Sequence, residues 1–110
     1  MGFSETRQNG VVVVRADGQL IVGNRHELKD LVARRLAAAD RRFVIDFANT
    51  GYIDSSGLGA LVTMSKQVRE HGGELRIAGL NDDLRALFEL TKLDTLFTIS
   101  DTAEQALAAF

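Results

Sequence analysis

No cysteine and no proline occur in these 110 residues. The first absence removes disulfides, thiolate catalysis and cysteine-based zinc or iron-sulfur sites. The second leaves glycine, asparagine and aspartate to make the turns. Long apolar runs are also missing. Runs such as "GVVVV" are strand-sized and far short of the roughly 20 residues that span a bilayer, and "MGFSETRQNG" lacks the basic and apolar regions of a signal peptide. A cytoplasmic protein without membrane insertion is the expectation. Nor is there an excess of positive charge: a formal net charge of -2 supplies no broad field for a polyanion, so direct nucleic-acid binding is not expected. The local exception is Arg34, Arg35, Arg41 and Arg42, which form either an anion-facing patch or, more simply, a gathering of cations at the electronegative end of a helix. Repeats, linkers and low-complexity segments are absent, and 45% hydrophobic content over this length suffices for one core, so residues 1–110 are read as a single domain.

What is present alternates between strand and helix patterns. "FSETRQ", "NG" and "VVVVRA" predict an antiparallel hairpin, because Asn9 and Gly10 can both take the positive φ of a tight turn. "NRHELKDLVARRLAAAD" places Leu28, Leu31, Val32, Leu36 and Ala39 at helical spacing, with Asn24 and Glu27 as a capping pair. "RFVIDF" has the character of a buried central strand. A second helix carries Leu58, Leu61, Val62, Ser65 and Val68 on one face and stops at Gly72 and Gly73. "ELRIA" follows as a strand, then "NDDLRALFEL" as a helix capped by Asn81 or Asp82 with Leu84, Leu87 and Phe88 inward. "LFTI" reads as a last strand, and "SDTAEQALAAF" as a last helix with Asp101 and Glu104 as its capping pair and Ala103, Ala106, Leu107 and Phe110 on one face. Strands joined by helices of this length need crossover connections. The expected class is therefore α/β: a mixed, mostly parallel sheet of four or five strands with an N-terminal hairpin, covered by about four helices.

Chemistry concentrates in "GYIDSSGLGALV", residues 51–62, where a strand-like run gives way to a helix. Four readings compete: a catalytic nucleophile, a phosphate cradle, a phosphorylation switch and an ordinary helix cap. A hydrolase elbow needs glycines two residues before and two after its serine, but Ile53 and Leu58 occupy those places. Only His26 and His71 could serve a triad, and neither lies at the serine end of its helix; both read as surface residues. A P-loop needs a lysine after its final glycine, and none follows here. If Ser56 caps the helix through the N–H of Leu58 or Gly59, Ser55 is left free at the positive end of the helix. Asp54 either forms an Asx-type turn or orients Ser55 and helps hold a partner's metal ion. Gly57 and Gly59 leave room for another backbone to come close, and Tyr52 and Leu58 either contact a partner or, more simply, pack on the sheet. A phosphoryl group on Ser55 would bring close to two negative charges to an interface, turning binding off without changing the fold.

"FVIDFANTGYIDSSGLGALV" resembles the central strand and D-S-S/T-G-L-G loop of the STAS family, named for sulfate transporters and anti-sigma factor antagonists, and the chain is most similar to the antagonists. "HGGELRIAGL" and "LFELTKLDTLFTISDTAEQAL" resemble the strand, third helix and C-terminal helix that follow. One departure is Ile21, in "DGQLIVGN", where many members carry an acidic residue. The resemblance implies a partner switch. The unphosphorylated domain captures an anti-sigma factor serine kinase, which supplies ATP and magnesium and then releases its sigma factor. Phosphorylation of Ser55 ends the capture, and a serine phosphatase restores it. The protein would be no enzyme and hold no cofactor of its own, with Asp54, Ser55, Ser56, Gly57, Leu58 and Gly59 as the partner-binding segment. The alternatives are a constitutively docking subunit of a membrane transporter or larger signalling assembly, and a weak nucleotide binder or hydrolase.

Overall fold

The computed structural model describes residues 2–110. Strands β1 (Gly2–Gln8) and β2 (Val11–Leu20) form the expected hairpin, with Gln8 opposite Val11 and positive φ at Asn9 (54°) and Gly10 (79°). Helix α1 (Arg25–Ala37), strand β3 (Arg42–Asp46), strand β4 (Thr50–Ile53), helix α2 (Ser55–Glu70), strand β5 (Glu74–Ala78), helix α3 (Asp82–Leu90), strand β6 (Ile99–Ser100) and helix α4 (Ala103–Ala108) follow. The sheet order is β1-β2-β3-β5-β6, with β4 paired to the far end of β2, and every pairing after the hairpin is parallel.

Period-2 alternation explains the unbroken apolar runs. Val12, Val14, Phe43, Ile45, Leu75 and Ile77 point into a large core shared with α1, α2 and α3, while Val11, Val13, Val44 and Ala78 point into a smaller one under α4. Both faces of β2, β3 and β5 are thus covered, which is why these strands carry valine and isoleucine at successive positions. Small residues line the second core: Ala78 and Ala106 are fully buried, allowing α4 to lie close to the sheet.

Several boundaries depart from the sequence reading, each for a local reason. Asn24 does not cap α1 with its side chain. Its Oδ1 accepts from the Ile21 N–H at 2.9 Å and its Nδ2 donates to the Gln19 carbonyl at 2.8 Å, so it closes the turn between β2 and α1 instead of pairing with Glu27. Ala39 lies past the end of α1, exposed and at φ 75°. The expected strand "LFTI" begins only at Ile99, because Leu93–Thr95 form a 3-10 turn and Phe97 is drawn into the core, 6.2 Å edge-on from Phe88. At α4 the cap is Thr102, which accepts from the Gln105 N–H at 3.1 Å, and Gln105 accepts in turn from the Asp101 N–H at 3.2 Å; Asp101 and Glu104 are not the pair. Asn81 caps α3 by accepting from the Leu84 N–H at 2.8 Å, as anticipated.

The arginine cluster disperses. Arg41 donates to the Leu36 carbonyl at 3.0 Å and the Asp40 carbonyl at 2.8 Å, capping the end of α1, while Arg35 pairs with Glu5 and Arg34 and Arg42 face solvent.

Gly72 takes φ 82° where α2 ends, and Gly73 is held for a different reason. A Cβ on Gly73 would stand 2.1 Å from the Arg41 carbonyl oxygen, in the backbone of the segment entering β3. Gly73→Ala should therefore cost about 2 kcal/mol or more by overpacking. Urea unfolding measures it, and an unchanged midpoint would contradict this packing.

Candidate functional site

Strand β4, at the strand-like run before the serines, builds the site through a pairing with β2 that the sequence did not announce. It runs beside the end of β2, pairing Gly18 with Thr50, Gln19 with Tyr52 and Leu20 with Ile53 across an irregularity. The buried Thr50 hydroxyl donates to the Ala16 carbonyl at 2.6 Å, and the Asp54 N–H to the Leu20 carbonyl at 3.1 Å. These bonds set the start of α2 against the turn that leads from β2 to α1.

Asp54, not Ser56, is the N-cap of α2. Its Oδ1 accepts from the Ser56 hydroxyl and from the Gly57 N–H, both at 2.7 Å, and its Oδ2 accepts from the Val22 N–H at 3.0 Å. A carboxylate caps better than a hydroxyl here because one oxygen serves the helix while the other ties down the neighbouring turn. Asp54 thus plays the local structural part foreseen for it and does not orient Ser55: both oxygens are engaged elsewhere. Hydrogen bonding, first from the Ser56 hydroxyl and then from the Gly57 and Val22 N–H groups, outweighs partial desolvation and holds the carboxyl below its ordinary value of 3.8.

The six residues expected to meet a partner separate into three groups. Ser55 and Gly59 are exposed, Asp54 and Ser56 are half-buried, and Gly57 and Leu58 are buried. Among the described residues the Ser55 hydroxyl has no hydrogen-bond partner, so it is left free although the cap lies one residue earlier than expected. Gly57 does not hold space for another protein. A Cβ there would meet the Leu20 carbonyl oxygen at 2.5 Å, so the space is filled by this chain's own β2, whereas a Cβ on Gly59 would meet nothing within 4 Å. Leu58 packs into the core, but Tyr52, expected to do the same, is 58% exposed, and Val22 across the site is 64% exposed. Sequence reading missed Val22 as part of this surface. Its only signal was an apolar residue in the loop "LIVGN", and the contact that brings it near spans 32 positions.

His26 and His71 are both exposed. His71 follows the far end of α2, about 24 Å from Ser55 at 1.5 Å per residue, with its ring set 2.8 Å from the Gln67 carbonyl. At that distance His71 cannot act on the serines. Among the described residues no group of three or more His, Asp or Glu side chains is placed to hold a metal ion, and no helix is long and apolar enough to cross a membrane.

Residues 4–106 match the family model described as STAS domain. The chain belongs to the STAS domain family. Among curated STAS relatives, BtrV of Bordetella bronchiseptica, provisionally assigned as an anti-sigma factor antagonist, is 29% identical over all of this chain and 95% of its own length. The anti-sigma-B factor antagonist of Staphylococcus aureus is 29% identical over 94% of this chain and 96% of its own. A Thermotoga maritima structure with the same provisional assignment as BtrV superposes with a TM-score of 0.91 at 25% identity, covering 97% of this chain and 92% of the other. SpoIIAA of Bacillus in its phosphorylated form gives a TM-score of 0.77 at 17% identity, covering 98% of both chains. A sulfate transporter family protein from Wolinella succinogenes gives 0.76 at 19% identity, covering 94% of this chain and 87% of that one. The last two likenesses concern the STAS fold alone, and their near-equal scores show that the fold does not separate a regulator from a transporter domain.

Two measurements check the site. Because the Asp54 carboxyl is a stronger acid in the folded state, its stabilisation is present above the ordinary value of 3.8 and is lost as pH falls through the lower folded value. The stability gap between the wild type and Asp54→Asn should therefore narrow between pH 6 and pH 3, about the ordinary carboxyl range; a gap independent of pH would contradict the hydrogen-bonded carboxylate. The two glycines should also respond in opposite directions, Gly57→Ala losing about 1–3 kcal/mol and Gly59→Ala gaining about 0.5–1 kcal/mol. Equal effects in urea unfolding would refute the placement of α2 against Leu20.

Proposed function

We propose that this STAS domain is an anti-sigma factor antagonist that captures an anti-sigma factor serine kinase when unphosphorylated and is switched off by phosphorylation at Ser55. The observation that carries this reading is the contrast between adjacent hydroxyls: Ser56 donates to Asp54, while Ser55 is exposed at the first position of α2. A kinase active site needs a hydroxyl that can be surrounded. Ser56 would first have to break its bond and weaken the cap. Similarity to relatives named as antagonists over nearly their whole length supports the partner class.

The charge balance gives the direction of the switch. A phosphoryl group adds about -1.5 to -2 charges. Free in solution, the start of a helix favours such an anion by about 0.3–1 kcal/mol, which offsets repulsion from the neighbouring Asp54, so the fold persists. Against a docked partner the same charge must be desolvated beside Asp54 and any acidic partner residue, at a cost of several kcal/mol. The interface term is the larger, and modification releases the partner. Exposed Val22 and Tyr52 flank the serine and provide the apolar contact area of this docking surface. ATP and magnesium belong to the kinase, a serine phosphatase resets the switch, the domain itself catalyses nothing, and all partners meet in the cytoplasm.

A second reading is a STAS subunit docked constitutively on a transporter, which the fold shared with the Wolinella succinogenes protein admits. One variant separates the two. On the antagonist reading, incubation with ATP and the cognate kinase adds a single phosphate to the intact mass, and Ser55→Asp weakens kinase binding by about tenfold or more. Unchanged affinity for the aspartate variant, with no mass gain, would overturn it.

A further inference from the structure

The sheet has one long open edge. Among the described residues strand β1 borders only β2, and four of its residues, Ser4, Thr6, Arg7 and Gln8, are exposed. The two-residue turn at Asn9 and Gly10 makes Gln8 and Val11 a hydrogen-bonded pair, and alternation along the ladder then directs the backbone groups of Thr6 and Ser4 inward toward β2. Those of Phe3, Glu5 and Arg7 face outward with no strand to meet them. No proline, bulge or covering helix blocks this edge, and an edge so exposed is a template for another strand.

We propose that β1 pairs antiparallel with β1 of a second copy of this chain, with Thr6 on the two-fold axis, to form one continuous sheet across a homodimer. Charge fixes both the occupant and the register. Outward-bonding residues must meet one another, so Glu5 faces Glu5, Arg7 or Phe3 of the second copy, according to register. Like-charge pairing is disfavoured, and the phenylalanine register leaves Arg7 beyond the overlap. With Thr6 on the axis, Glu5 lies directly opposite Arg7 of the second copy, twice over, which stabilises an antiparallel pair. The flanking side chains continue the pattern. Within one chain Glu5 pairs with Arg35, and Arg7 with Asp40 at 2.6 Å. Across the junction the row reads Arg35, Glu5, then Arg7 and Asp40 of the second copy, alternating in sign throughout. Isolated surface pairs contribute little, but a network on a backbone ladder sets specificity. Ser55 takes no part in this edge, so the inference is independent of the proposed switch.

The test uses charge complementation. Sedimentation of the full chain should show a concentration-dependent species of twice the 12.0 kDa chain mass. Glu5→Arg alone places arginine opposite arginine, and Arg7→Glu alone places glutamate opposite glutamate, so each should weaken self-association by about tenfold or more. Mixed together, they offer an arginine opposite a glutamate at both positions and should recover the dimer, a result that misfolding of either variant cannot produce. A wild-type protein that stays monomeric up to millimolar concentration would overturn the proposal. So would variants that dimerise as the wild type does, or a mixture that fails to recover.

Discussion

A single carboxylate holds the site together. Asp54 accepts three hydrogen bonds, two from the first turn of α2 and one from the Val22 N–H after β2. The first two satisfy donors at the start of the helix; the third binds that start to a turn distant in sequence. The bridge ties Val22 to the start of α2, so that Val22, Tyr52 and Ser55 form one exposed surface. The buried Thr50 hydroxyl and the absence of a side chain at Gly57 serve the same junction from beneath, letting β4 and α2 approach the end of β2. The contrast between the two serines and the local stability therefore share one feature: Asp54 engages Ser56 while Ser55 stays exposed.

The fold was largely legible because its signals are local or periodic. Asn9 and Gly10 specify the hairpin turn by their tolerance of positive φ, and the runs "VVVV" and "FVIDF" mark strands covered on both faces. Helix faces followed the spacing of Leu28, Leu31, Val32 and Leu36, all buried. What stayed hidden depended on tertiary partners. Strand β4 has four residues including Gly51, and its pairing with Gly18, Gln19 and Leu20 is invisible in a window of neighbours. Asn24 has the residue type of a cap, but the Gln19 carbonyl and Ile21 N–H compete for its side chain and win.

At the site, the identity of the free serine was legible while the reason for it was misplaced. Both Asp54 and Ser56 are good caps, and sequence alone does not rank them; the Val22 N–H decides in favour of the residue with two acceptor oxygens. The glycines divided for a similar reason. Gly57 and Gly59 look alike in "SSGLGALV", but helical spacing turns one toward Leu20 and the other toward solvent. Only the latter has open space beside it.

The most direct measurement is localisation of the phosphate by fragmentation mass spectrometry after reaction of the wild-type domain with the proposed anti-sigma factor kinase, with both serines present. Phosphate on Ser55 alone, and unchanged occupancy there in Ser56→Ala, is the predicted result. Phosphate on Ser56 would contradict the account, because that hydroxyl would then be the accessible one and the Asp54 bridge could not be what selects between them.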